Sequence, residues 1–128
     1  MTFTYIMNIE FISIIPVLSS ADITRDLAWY NEKTGFKEYF SDHMYAVIYR
    51  ENLIIHLQWH AGTDDDPLTG GSVIRINVKD IKSIFEEFLL RGTVNADSFK
   101  SNTPWNTNEF GFYDLNNNAI FFMEDIIK

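Results

Sequence analysis

The chain contains no cysteine. Disulfides, thiolate metal sites and covalent thiol catalysis are thereby excluded. Basic residues are scarce too: 10 Lys and Arg stand against 18 Asp and Glu, giving a formal net charge of −8. A surface that neutralises nucleic-acid phosphates needs clustered Lys and Arg, so no nucleic-acid partner is expected. No apolar run reaches the ~20 residues of a membrane span. Residues 1–10 lack the basic flank of a signal peptide and are broken by Asn8 and Glu10. These absences describe a protein of the cytoplasm with no membrane partner. Nucleotide and serine chemistry are absent as well: Gly70-Gly71 lacks the rest of a phosphate loop, and no G-x-S-x-G elbow occurs.

What the chain does have is apolar and aromatic content, 46% and 16% of its 128 residues. That length suits one domain, residues 1–128, able to bury roughly two-thirds of its unfolded surface. Glu10 to Leu18 is Ile-rich and reads as a buried strand, followed by Ser19-Ser20-Ala21-Asp22 as capping residues. Ile23, Leu27 and Tyr30 then recur at helical spacing, and Lys33 with Gly35 marks a stop, which predicts a helix over 22–34. Strands are expected at 36–40, 44–49 and 53–60, with Arg50-Glu51-Asn52 as a turn. A further strand at 72–78 precedes a helix over 80–91 that carries Ile81, Ile84, Phe85, Phe88 and Leu89 on one face and stops at Gly92.

The second half repeats the first. Asp22-Ile23 returns as Asp80-Ile81, Gly35 returns as Gly92, and each half ends in a hairpin. The fold class expected is α+β, two βαβββ modules at about 10–61 and 71–125. Between them lies loop 62–70, whose Asp, Gly, Pro and Thr content is that of a linker.

Candidate chemistry is sparse. In Leu53 to His60 strict alternation puts His56, Gln58 and His60 on one face and Ile55, Leu57 and Trp59 on the other. His56 and His60 have H-x-x-x-H spacing, but on a strand four residues span roughly 13 Å, too far for one ion held about 2 Å from each nitrogen. His43 falls in a turn with no partner apparent. Ser19 and Ser20 read as capping residues, so no catalytic residue is assigned. Trp105 sits in the polar turn Asn102 to Asn108, a place that presents an indole to a ligand.

Ile15-Pro16-Val17-Leu18-Ser19-Ser20-Ala21-Asp22-Ile23, Ala28-Trp29-Tyr30, Thr34-Gly35-Phe36, Pro104-Trp105 and Glu109-Phe110-Gly111-Phe112-Tyr113-Asp114 stand on this doubled frame in a telling order. Together they resemble the vicinal-oxygen-chelate superfamily, and the last two with the Asn116-Asn117-Asn118 turn are similar to its bleomycin-resistance branch. The resemblance implies a curved mixed sheet around a concave pocket, often in a homodimer. In the superfamily's metal enzymes the ligand positions would match Ile15, His56, one of residues 71–73, and Phe121. Only His56 among them is a good ligand, so neither a metal nor any other cofactor is expected.

The implied function is metal-free binding of a small molecule, cationic or aromatic and possibly of bleomycin type. Phe40, Tyr45, His56, Gln58, Trp105 and Phe121 would form the pocket, and the net charge of −8 suits a cationic ligand. Two other readings stay open: a metal-dependent lyase or dioxygenase with displaced ligands, and an interaction protein whose pocket Phe121 and Met123 have filled.

Overall fold

Asp22 opens helix α1 (Ile23–Thr34): its backbone is extended and its carboxylate accepts the Arg25 N–H at 3.0 Å. Ile23 and Tyr30 turn inward, as their spacing predicts, and Gly35 ends the helix in the left-handed conformation at φ 74°. The structure is a computed structural model describing residues 8–66 and 68–127.

The first sheet contains β1 (Val17–Ser20), β2 (Lys37–Ser41), β3 (Tyr45–Arg50) and β4 (Leu53–Trp59) in the order β1-β4-β3-β2. β1 runs parallel to β4 after the α1 crossover, and β3 and β4 are joined through the two-residue turn Glu51-Asn52. The second unit follows the same plan. β5 (Val73–Asn77) leads into α2 (Ile81–Leu90), then β6 (Thr107–Tyr113) and β7 (Ala119–Asp125), and the sheet order is β5-β7-β6 with β5 parallel to β7. The strand expected between α2 and β6 shrinks to a single bridge, Lys100 to Glu109. The reason is local. A tight turn at Ala96–Ser98, capped by Asn95, and the turn around Asn102 leave almost no chain between them to pair.

Three expectations need correction. Glu10 to Leu18 is not a buried strand: Phe11, Ile12 and Ile14 are almost fully exposed, and pairing with β4 starts at Val17. Pro16 has no N–H to give the ladder and offers only its carbonyl, to the His56 N–H. Ser19 and Ser20 belong to β1, and Asp22 alone caps α1, while Ser20 donates to the buried Asp26. Leu89 lies at the rim of α2, over a third exposed. The start of α2 is served from a distance, because Asp80 makes no side-chain cap and the Glu124 carboxylate accepts the N–H groups of Asp80 and Ile81.

One apolar cluster runs from Leu18, Ile48 and Leu57 of the first unit to Phe88, Phe110 and Phe122 of the second. The rings of Phe88, Phe110 and Phe122 meet at 5.1–5.7 Å between centroids. Each buried ring stabilises the fold by about 2–3 kcal/mol. Polar bonds tie the units around this core. Tyr30 donates to Asp114 at 2.6 Å, Asn118 donates to the Ser19 carbonyl, and Arg50 grips Glu87 through two bonds. Among the described residues no helix is long and apolar enough to cross a membrane.

Candidate ligand-binding site

Alternation along β3 and β4 gives the first sheet two unlike faces. Ala46, Ile48, Ile55 and Leu57 point into the core, while Tyr45, Val47, Tyr49, Ile54, His56 and Gln58 point away from it. Phe40 joins the outward set because a bulge between Glu38 and Phe40 shifts the register and sets it opposite Val47. Over this face opens a cleft of about 900 Å³, lined by Phe40, Val47, Tyr49, Ile54, His56 and, from the chain before β1, Ile15.

His56 is the polar centre of the cleft. Its Nδ1 lies 2.8 Å from the Tyr45 hydroxyl, with the two rings nearly perpendicular. One ring nitrogen is therefore engaged, and among the described residues Nε2 makes no hydrogen bond. Gln58 stands one rung further along the same face, opposite Tyr45 and outside the cleft lining. Next to it Ser19 donates to Asp66, a bond that, with the Leu68 N–H, holds the Asp66 carboxyl below its usual range.

Trp105 and Phe121 lie elsewhere, on the outward face of the second sheet. Phe121 pairs with Gly111 across the β6–β7 ladder, and a Cβ on Gly111 would sit 2.4 Å from the Phe121 ring. The ring thus rests on bare backbone, and the Arg75 guanidinium covers it at 5.2 Å from the centroid. Trp105 is exposed, but its indole is fixed by a 3.0 Å bond from Nε1 to Glu109. The same Glu109 oxygen accepts from Arg75 and from Thr107, each at 2.7 Å. Burial pushes the Glu109 carboxyl up, and the bonds from Trp105, Thr107 and Arg75 outweigh it, holding the group below its usual range.

The six residues expected to form one pocket therefore fall into two groups, one on each sheet. Phe40 and His56 line the first cleft, Tyr45 reaches it through His56, and Gln58 borders it. Arg75 and Glu109 were missed by sequence reasoning. The available signal was alternation: in Val73-Ile74-Arg75-Ile76-Asn77 a lone cation falls on the outward face, and Glu109 falls on the face shared by Gly111.

A divalent metal does not fit the residues present. The side chains of Ile15, Val73 and Phe121 have no donor atoms, Ser72 offers only a neutral hydroxyl, a poor ligand, and Glu124 is engaged at the start of α2. Among the described residues no three His, Asp or Glu side chains gather closely enough to hold an ion.

No protein-family model matches the chain. The chain is similar to bleomycin resistance proteins from Geobacillus stearothermophilus and Staphylococcus aureus, each 25% identical over 126 residues that cover 88% of this chain and 96% of the relative. Among solved structures it is similar to the bleomycin resistance determinant encoded on transposon Tn5, with a TM-score of 0.73 at 16% identity over 91% of this chain and 100% of that one. It is also similar to the bleomycin-binding protein of Streptomyces verticillus complexed with copper(II)-bleomycin, with a TM-score of 0.67 at 19% identity over 94% of this chain and 99% of that one. A glyoxalase-related enzyme from Clostridium phytofermentans gives a TM-score of 0.72 at 15% identity, covering 94% of this chain and 99% of that one.

Proposed function

Since the chain belongs to the vicinal-oxygen-chelate superfamily, which joins glyoxalases, bleomycin-resistance proteins and dioxygenases, we propose that it is a binding protein that sequesters an aromatic or cationic small molecule in the cytoplasm. The observation that carries this reading is the open, largely apolar cleft on the first sheet, with His56 as its polar centre. Such a site suits a ligand with a large flat body and few polar anchors. Phe40 supplies a stacking surface, and the Tyr45–His56 pair supplies orientation. Similarity to bleomycin resistance proteins makes a bleomycin-type glycopeptide the first compound to try. Metal-dependent turnover finds no support in the donor set, because of the positions matched to the superfamily's metal ligands only His56 carries a strong donor.

A homodimer is part of the proposal, with both modules of each copy acting as one domain. Trp105 and Phe121 lie on a different sheet from Phe40 and His56, so a second copy can bring one face of each kind together. The exposed apolar residues Phe11, Ile12 and Ile14 supply a surface for that contact.

The test is a titration of metal-free bleomycin followed by tryptophan fluorescence. Saturable quenching is expected in the native protein. It should fall in Trp105→Phe if the indole meets the ligand, and affinity should drop about tenfold or more in Phe40→Ala. Calorimetry with Zn²⁺ should give no stoichiometric binding, and a tight one-per-site isotherm would overturn the metal-free reading.

A further inference from the structure

A second cavity of about 400 Å³ lies where the first sheet meets β5. It shares Ile15, Asn52 and Ile54 with the larger cleft and is lined on the β5 side by Ile74, Arg75, Ile76 and Asn77. The two spaces adjoin across those three residues. A ligand body lying against Phe40 and His56 can therefore extend past Ile54 towards β5 and Arg75.

Arg75 is built as a fixed cation. Its Nη2 donates to Glu109, its Nε faces the Met123 sulfur at 3.3 Å, and its plane lies over Phe121. Glu109 meets it through one oxygen, which also accepts from Trp105 and Thr107. Among the described residues Nη1 makes no hydrogen bond, and the side chain is 39% exposed. A guanidinium held by one edge and one face presents its other edge ready to grip an oxyanion through parallel N–H bonds. In a chain of net charge −8 nothing in the overall field favours an anion, so recognition of one must be local.

We propose that Arg75 is a specificity-determining residue, and that the ligand carries, beside its aromatic body, an oxyanion group, carboxylate or phosphate, that seats on this guanidinium. The inference rests on the binding reading above and narrows it: the ligand is an aromatic acid, or a zwitterion whose acidic end lies towards β5.

Calorimetric titration of the native protein with three matched probes tests it: 2-naphthoate, 2-naphthyl phosphate and 2-naphthamide. At least one acid is expected to bind about tenfold more tightly than the neutral amide, and which acid does so identifies the source of the oxyanion. Arg75→Gln should bring that acid down to the amide's affinity and leave the amide unchanged. Arg75→Lys, which keeps the charge and loses the planar fork, should retain only part of the preference. Equal binding of acids and amide by the native protein, a comparison that needs no variant, overturns the role of Arg75 and leaves the binding function intact. An acid preference that survives in a folded Arg75→Gln also overturns it. Silence from all three probes while bleomycin binds overturns the role of Arg75 alone, and silence from all four compounds overturns both readings.

Discussion

Phe121 illustrates how one side chain can be placed by what its neighbour lacks. Its ring occupies the space over Gly111 that any Cβ would claim, and Arg75 closes over it. Gly111→Ala must push the ring aside and loosen the guanidinium above it, so a loss of about 1–3 kcal/mol is expected in urea denaturation. Adding Phe121→Leu should recover part of that loss, since a smaller side chain yields the room; strict additivity of the two changes would show that the contact is not the cause. The sequence marks Phe121 as an apolar residue where the superfamily's enzymes carry a ligand. It does not reveal the ring's partners, because Gly111 and Arg75 reach it from two different strands whose register no local pattern specifies. The same holds for Glu109, whose three donors come from β5, from the turn before β6 and from β6 itself.

At the level of elements, the two helices and the hairpins were legible because each rests on a short-range signal: helical spacing in α1 and α2, left-handed glycines at 35 and 92, alternation in β4. The N-terminal run misled because apolar composition says nothing about whether a partner strand exists, and Pro16 ends the ladder there. Also hidden was the joint between α2 and the first unit. Glu87 accepts two bonds from Arg50 at 2.8 and 2.6 Å and one from Arg91 at 2.7 Å. The Arg50 guanidinium, helped by Arg91, holds the Glu87 carboxyl below its usual range against the cost of burial. A carboxyl lowered in the folded state contributes fully above its unfolded value, near ~4.3, and loses that contribution as pH falls through the folded value. Glu87→Gln should therefore cost about 1–2 kcal/mol at pH 7, after allowance for partial exposure, and should narrow its gap to the native protein below about pH 4. Thermal melts across pH 3–7 check this, and a gap that stays constant would rule out the ionised pair as the source.

For the whole molecule the unresolved tension is between a well-filled core and a bare arm. Every buried side-chain polar atom among the described residues has a partner, so the body of the fold leaves nothing for a second chain to satisfy. The chain ahead of β1 is the opposite case. Phe11 and Ile14 are 96% and 97% exposed, with Ile12 at 83% between them. Covering such side chains contributes roughly 1.5–3 kcal/mol each, enough in sum to hold two copies together once association costs are met. β5 is the edge of its sheet, and Val73 on it is 65% exposed, so an apolar edge is present for an arm to meet. If the arm makes the dimer, Phe11→Asp with Ile14→Asp should convert a sedimenting dimer to a monomer while moving the melting temperature only slightly, because neither residue touches the core. Ligand affinity should fall in the same variant if the two site halves come from different copies. A monomeric variant that binds as tightly as the native protein would show that one chain holds a complete site, with Phe40 and His56 sufficient and Trp105 outside it.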